Sequence, residues 1–468
     1  MASKHDGAPN RAFEALLSRS GLSNKRLAYE IRAESTRRRS PINSDHVQVS
    51  RWLSGQQPKA ETAHVIAAVL SRQLSRTVTP AACGFTNIDP TQPASRSLVA
   101  TSVEYPGDID TATTALGTLA RADAESDPSA QLGRWDGHAA AGVISGYLFG
   151  SDSNPRSGVD AAPLDASAIR LTTASLMDLD FQLGGEHTRD LLLYFFRTKV
   201  LPLFKNVPRG PVHRELFSAT AELAQMLGWS AYDAGRHGAA QRYFVHGLRL
   251  AREADDHLLG ARLLSNLSHQ ANYLGSFYNA VQLARAAQSA ASAGKAPASA
   301  TTLAMFTAME ARALASLGDA NGCAVALTRA EQLMDGSNPG IDPSWISYFD
   351  LGELAGEAAH CFRDLRQPDE TGRFALLASP VGTPPRTRAF IGLVDAMGML
   401  HGGRLDEAVA TAREAVMLAG GLRSSRYRRY VRDFVAAAVA LHPRDGRVVD
   451  LVAFTAPAID EVGPTAAS

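Results

Sequence analysis

Apolar residues near the start of the chain recur three and four positions apart, which is the spacing of one face of an α-helix. This pattern predicts four short helices, at residues 11–19, at 23–34, within 43–58 and at 61–73. Gly21 separates the first two helices, and Ser54 with Gly55 ends the third. We therefore expect a small helical domain at residues 10–85.

The third helix lies in the stretch NSDHVQVSRWLSGQQP and has one polar and one apolar side. Ser44 or Asp45 is expected to cap its start. Its apolar contacts are expected to come from Val47, Val49, Trp52 and Leu53. A short helix that is anchored from behind and polar in front has the build of a DNA-recognition helix, because it can lie in a major groove.

The order of these four helices resembles the repressor-like, XRE-type helix-turn-helix domain. The matching features are Gly21-Leu22-Ser23, Leu27-Ala28, Val49-Ser50-Arg51-Trp52, Gly55 and Pro58. The resemblance implies that double-stranded DNA is a partner and that the DNA contacts come from His46, Val47, Gln48, Ser50, Arg51, Ser23 and Asn24.

Each of these contacts has a chemical reason. Arg51 would bind guanine O6 and N7 in a bidentate contact, Gln48 would pair with adenine or a phosphate, and Val47 would touch a thymine methyl group. Ser23 and Asn24 would meet a phosphate at the positive end of the second helix. The alternative is that Arg51 forms a salt bridge within the domain.

One segment departs from the repressor-like pattern. Between Ile31 and Val49 the chain is about ten residues longer than the usual turn, and the extra residues 33–42 contain Arg37, Arg38 and Arg39. These arginines could follow a phosphate strand or enter a narrow minor groove. The alternative is a solvated, disordered basic loop.

The region at 86–165 reads as a proline-containing linker and a connecting region, and the chain from Ile169 onwards is almost continuously helical. Five turn positions there are followed by small or apolar residues at the same offsets, and they are Gly235, Gly275, Gly318, Arg366 and Gly403. The pattern resembles the tetratricopeptide repeat, although the separations of 40, 43, 48 and 37 residues are longer than its usual period. We predict an all-α protein in which the helix-turn-helix domain precedes an α-solenoid of helix pairs at 166–455. A non-repeating helical domain is the alternative.

The first helix of each pair lines the concave side of such a solenoid. The repeat pattern places Trp229, Tyr232, Asp233, Arg262, His269, Asn272 and Arg312 on that surface. An extended peptide would suit this mixture, because Asn272 can pair with a peptide backbone while Arg262 or Arg312 holds a carboxylate. Taken singly, each residue reads as an ordinary solvated or packing residue, and only the groove as a whole is a hypothesis.

Other polar residues of the helical region lie outside the predicted groove. Arginines and tyrosines are concentrated in GLRSSRYRRYVRDF at 421–434, which could contact phosphate, form a dimer face, or be a solvated capping helix. Asp178, Asp180, Glu186 and His187 read as surface and capping residues. No P-loop, HExxH, GxSxG or GxGxxG motif is present, so we expect no enzyme, cofactor or metal site.

Charge is distributed unevenly although the chain as a whole is neutral. Residues 1–90 carry 13 Lys and Arg against 7 Asp and Glu, a net charge of +6, and the remaining 34 basic and 40 acidic residues give −6. The basic region is thus the one that resembles a DNA reader. Three cysteines without a CxxC pair and the lack of an apolar leader or span fit a cytoplasmic protein.

Taken together, the order of the domains resembles actinomycete regulators of the Nsd type, which restrain sporulation and antibiotic production. The linking features are Leu183-Gly184-Gly185 and the segment LAQMLGWSAYDAGRHGAAQRYF. The resemblance implies a homodimeric transcriptional regulator whose repeats sense a peptide, a small molecule or a protein partner. The alternative is a protein-interaction scaffold with weak or no DNA binding.

Overall fold

The computed structural model describes residues 9–37, 42–74, 78, 80, 83–85, 103–127, 130, 137–150, 166–205, 211–294 and 298–460. Within these residues the chain forms 20 α-helices and no strand, which confirms the all-α prediction. The chain divides into two compact units, Met1–Val99 and Ala100–Ser468. No helix of the described segments is long and apolar enough to cross a membrane.

The first unit contains α1 (Arg11–Ser20), α2 (Asn24–Arg37), α3 (His46–Leu53) and α4 (Ala60–Leu74). Asn10 caps α1 by accepting a hydrogen bond from the Phe13 amide. Gly21 ends this helix in the left-handed conformation that glycine adopts without strain. Asn10 also donates to the Cys83 carbonyl at 2.8 Å, which joins the residue before α1 to a residue that follows α4.

Apolar side chains from all four helices form the core of the first unit. Fully buried members are Phe13, Leu27, Ile31, Val49, Ile66 and Leu70. Phe85 packs against Phe13 with 5.2 Å between ring centroids. Burying one side chain of this size contributes about 1.5–3 kcal/mol, so the core fixes the position of α3 through Val49.

The connection between α2 and α3 begins later in the chain than expected. α2 continues to Arg37, so residues 33–37 are helical and only the following residues can form the loop. Ser35 is buried, and its hydroxyl donates to the Arg32 carbonyl at 2.9 Å and accepts from the Ile42 amide at 3.0 Å. Through these two hydrogen bonds, Ser35 holds Ile42, which precedes α3, against the last turn of α2.

The second unit begins with α5 (Ile109–Ala124), α6 (Gly137–Phe149), α7 (Ala166–Leu183) and α8 (Gly185–Phe195), and α8 continues into a π-helical turn (Phe196–Val200) and a 3₁₀ turn (Leu201–Lys205). Six helix pairs follow: α9 (Pro211–Asp233) with α10 (His237–Glu253), α11 (His257–Tyr273) with α12 (Phe277–Ala293), α13 (Ala300–Leu317) with α14 (Ala320–Asp335), α15 (Leu351–Asp364) with α16 (Pro368–Leu377), α17 (Pro385–His401) with α18 (Leu405–Ala419), and α19 (Ser425–Leu441) with α20 (Gly446–Asp460). Stacked helix pairs of this kind form a solenoid.

Helices α5 and α6 belong to the repeat unit, although the sequence analysis placed them in a connecting region. Leu116 and Tyr147 are buried in the same core as the first helix pairs. Asp123 is 1% exposed and accepts hydrogen bonds from Arg236 at 2.7 Å and from Tyr243 at 3.1 Å. Helix α5 is therefore packed against α10 within the second unit, which begins at Ala100.

The five predicted turn positions all have left-handed backbone. Gly235, Gly275, Gly318 and Gly403 have φ between 76° and 82°, and Arg366 has φ 55°. At each turn the amide of the next residue bonds the carbonyl five residues earlier, as Arg236 does to Ala231 at 2.8 Å and Gln367 to Phe362 at 2.9 Å. This is the Schellman arrangement, which ends one helix and reverses the chain into its partner.

Small and apolar residues at the predicted offsets are buried between the paired helices. Five residues after each turn lie Ala240, Ala280, Cys323, Thr371 and Ala408, and all are at most 1% exposed. A Cβ added at Gly228 would lie 2.4 Å from the Phe244 ring, which shows how closely α9 and α10 approach. The repeat pattern read from the sequence thus corresponds to the packing of the helix pairs.

Candidate functional site

Helix α3 is held at both ends and from behind. The Asp45 side chain caps its start by accepting a hydrogen bond from the Gln48 amide at 2.8 Å. Ser44, the alternative cap, is instead buried with its hydroxyl 3.4 Å from the Ala28 carbonyl. Val49 and Trp52 are buried under the helix, so its opposite side is free to face a partner.

The predicted DNA contacts of α3 share that opposite side. His46, Val47, Ser50 and Arg51 are exposed, and Gln48 is half-buried. Residues 46 and 50, and residues 47 and 51, are neighbours on the helix surface because they are four positions apart. Within the described residues, no ion pair or hydrogen bond engages the Arg51 guanidinium.

Ser23 and Asn24 lie at the start of α2, as predicted. The Ser23 hydroxyl is exposed and accepts a hydrogen bond from the Arg26 amide at 3.2 Å, so Ser23 caps the helix. Asn24 is the first helical residue and is half-buried. Arg37 is the last residue of α2, while Arg38 and Arg39 lie outside the described residues.

The predicted concave groove is much less open than the sequence analysis assumed. Tyr232 and Asp233 are fully buried, Arg262 and Arg312 are each 8% exposed, and only Trp229, His269 and Asn272 are half-buried. Helix α19 and the residues before it cover the first helices of the solenoid. The repeat unit therefore brings its last helix pair against its first.

Asp233 lies at the centre of this contact between the last and the first helix pairs, which we call the closure. Its carboxylate accepts hydrogen bonds from Ser424 at 2.9 Å, from Arg426 at 2.9 Å and from Arg386 at 3.1 Å. Burial alone would raise the pKa of Asp233, but the two arginines lower it below its ordinary value. Asp233 binds groups of its own chain, so its predicted role as a groove residue for a ligand is corrected.

Two arginines predicted to hold a ligand carboxylate also have partners in the chain. Arg312 donates to Glu357 at 2.8 Å. The Arg262 guanidinium stacks on the Trp345 ring, 4.6 Å from its centroid. A peptide carboxylate would therefore have to compete with Glu357 for Arg312.

The arginine-rich segment at 421–434 supplies the residues that were not predicted at this site. Arg426 lies over the rings of Trp229 and Tyr232, at 5.0 and 5.2 Å from their centroids. Arg428 donates to Glu186, and Arg429 donates to the Tyr273 carbonyl at 2.8 Å. The concentration of arginine was the available signal, but its interpretation as a solvated capping helix does not fit Arg426 and Arg428, whose side chains are mostly buried.

Two glycines at the start of α8 leave room for close backbone contacts beside the closure. A Cβ on Gly184 would lie 2.4 Å from the Arg423 carbonyl oxygen, and a Cβ on Gly185 would lie 2.5 Å from the Ser230 carbonyl oxygen. Asp180, predicted to be a surface residue, is 2% exposed beside this junction and accepts a hydrogen bond from Thr188 at 2.6 Å. Its burial raises its pKa to about 6.

His269, Asn272 and Arg312 are the predicted groove residues that still line open space. They border a cavity of about 480 Å³ between α11, α13, α15, α17 and α19. Tyr232 donates to or accepts from His269 Nδ1 at 3.0 Å, and burial lowers the pKa of His269 well below its ordinary value. Among the described residues no group of histidine, cysteine and carboxylate side chains is arranged to hold a metal ion.

Comparison with known proteins concerns the first unit. A family described as the SP15 N-terminal domain matches residues 13–86, from the first turn of α1 to beyond the end of α4. No curated protein matches the chain.

Proposed function

We propose that this protein is a DNA-binding transcriptional regulator that reads the major groove with α3 of its first unit. The resemblance to Nsd-type regulators makes development or secondary metabolism the process we expect it to control. In this proposal the repeat unit forms a homodimer and senses an effector, and the resulting two-fold arrangement of reading helices matches a palindromic operator.

The exposed face of α3 carries the proposal. Arg51 is exposed and has no partner in the described part of the chain, while Val49 and Trp52 fix the helix from behind. An arginine on a short, capped helix is the side chain that most often recognises guanine in a major groove. The net charge of +6 for residues 1–90 supports attraction to phosphate in addition.

The test is selection of bound sequences from random double-stranded DNA, followed by affinity measurement at several salt concentrations. The variants are Arg51→Ala, Arg51→Lys, and Arg329→Ala as a control that removes one exposed charge from α14 of the repeat unit. We expect the selection to yield a palindromic motif. Arg51→Ala should cost about 1–3 kcal/mol on that motif, and Arg329→Ala should cost nothing.

Arg51→Lys separates base recognition from charge. Lysine keeps the positive charge but loses the planar pair of donors that matches guanine, so it should retain the salt dependence and lose the preference for the motif. A selected pool without a shared motif, or equal binding by parent and Arg51→Ala, would remove the DNA-reading role of α3. The scaffold function, in which the repeats hold a protein partner, would then be preferred.

A further inference from the structure

The concave cavity of the repeat unit has the size and lining of a small-molecule site. Its volume of about 480 Å³ lies within the range of known ligand pockets. The lining residues that matter here are His269, Asn272, Tyr273, Arg366, His401 and Tyr430. Two tyrosine rings and several polar groups therefore line the same open cavity.

The charges around this cavity do not cancel. Three lining arginines are paired with carboxylates: Arg312 with Glu357 at 2.8 Å, Arg363 with Asp364 at 2.6 Å, and Arg429 with Asp433 at 3.4 Å. Arg366 also lines the cavity, and no carboxylate of the described residues pairs with it. The cavity thus carries one uncompensated positive charge, at an exposed side chain.

Arg366 stands where the repeat pattern prefers glycine. The corresponding turns have Gly235, Gly275, Gly318 and Gly403, and Arg366 alone of the five adopts the left-handed backbone with a large side chain. Asp255 is left-handed too, but aspartate tolerates this conformation better than arginine does. Backbone strain that persists at one position of a repeat is commonly found at functional sites.

Two buried polar atoms beside the cavity have no hydrogen-bond partner in the protein. They are Asn272 Oδ1 and His401 Nδ1. Burial, and then the charges of Arg366 and Arg363, lower the pKa of His401, so its ring is neutral at pH 7. A buried polar atom without a partner is costly, and a bound molecule with hydrogen-bonding groups would supply the missing bonds.

We propose that this cavity binds a small organic anion, with one carboxylate or phosphate held by Arg366 and an uncharged, hydrogen-bonding body placed against Asn272, Tyr273 and Tyr430. This inference gives a chemical class to the effector of the proposed function. Its test measures ligand binding alone, so it can fail or succeed whatever the outcome of the DNA experiment.

The experiment is calorimetric titration of the full chain with three anions, each beside its uncharged counterpart. The pairs are adenosine 5′-monophosphate with adenosine, salicylate with salicylamide, and glucose 6-phosphate with glucose. The variants are Arg366→Gly, which restores the residue of the other turns, and Asn272→Ala. Asp255→Gly is the matched control, because it makes the same kind of replacement at a turn whose residue does not line the cavity.

We expect at least one anion to bind, and to bind more tightly than its uncharged counterpart. Arg366→Gly and Asn272→Ala should each weaken that binding, Arg366→Gly by about tenfold or more, since a hydrogen bond to a charged group is lost. Asp255→Gly should bind as the parent does. The proposal is overturned if none of the three anions binds, or if an anion binds parent and Arg366→Gly equally well.

Discussion

Arginine has opposite roles in the two units of this protein. On α3 of the first unit, Arg51 is exposed and engages no partner within the described residues. In the repeat unit, Arg386 and Arg426 are largely buried and both bind Asp233. An arginine-rich segment therefore does not by itself indicate a binding surface, because the same side chain can bind a buried carboxylate of its own chain or face a partner.

The difference follows from where each side chain meets a carboxylate. A buried arginine needs a paired anion, since an isolated charge in the interior is very costly. Asp233 supplies that anion at the contact between the first and last helix pairs. No carboxylate of the described residues pairs with Arg51 on α3, so the Arg51 guanidinium remains in water, where it can meet phosphate or guanine.

The largest expected effect is on the stability of the repeat unit. Asp233→Ala leaves Arg386 and Arg426 buried without their partner, and we expect it to lower the free energy of unfolding by about 3–5 kcal/mol. Urea denaturation followed by circular dichroism measures this. Asp190→Ala is the control, because Asp190 is 82% exposed and should contribute less than about 1 kcal/mol. Equal losses in both variants would mean that the closure contributes nothing.

A smaller effect concerns Asp180, whose raised pKa of about 6 opposes folding at neutral pH. The folded protein holds this proton more tightly than the unfolded chain does, so the contribution of Asp180 to stability falls as the pH rises from about 4 to about 6. Asp180→Asn keeps the acceptor for Thr188 and should stabilise the protein at pH 7 by roughly 1–3 kcal/mol.

The same pH range provides the control for Asp180. The advantage of Asp180→Asn should shrink towards zero near pH 4, and Asp178→Asn, at an exposed position, should show no such dependence. Thermal unfolding of the three proteins between pH 4 and pH 7 measures both. A pH-independent difference would contradict the assignment of the raised pKa to Asp180.

A still smaller effect is expected at Arg366. Its left-handed backbone costs roughly 1 kcal/mol, so Arg366→Gly should stabilise the repeat unit by up to that amount. Gly403→Ala is the mirror control, because Gly403 has the same conformation and an added Cβ would meet no atom within 4 Å. Denaturation should show a gain for the first variant and a loss for the second. A loss in Arg366→Gly would mean that the arginine serves stability.

The smallest effect is expected at Arg51. Because this side chain is exposed and has no partner in the described segments, Arg51→Ala should change the free energy of unfolding by no more than about 0.5 kcal/mol. Denaturation of the full chain, compared with Arg426→Ala, measures this. A large destabilisation by Arg51→Ala would favour the alternative in which Arg51 forms a salt bridge within its domain.

The helix pairs were predictable because their cause is local. A turn that needs a left-handed residue, followed at fixed offsets by small residues, is visible along the chain, and Gly235, Gly275 and Gly318 have the conformation that this requires. The same holds for α3, where Asp45 caps the helix and Val49 anchors it. Helices α5 and α6 were not recognised, since their apolar residues show no clean period.

By itself, the sequence determined the all-α class, the turns of the repeats and the exposed polar side of α3, because each depends on residues a few positions apart. Only the tertiary structure decided that Asp233 meets Arg426, 193 residues away, and that Arg366 lines the same cavity as Asn272 and Tyr430. The curvature of stacked helix pairs sets which distant side chains meet, and this curvature accumulates from small rotations at every contact. No local sequence pattern predicts the sum of these rotations.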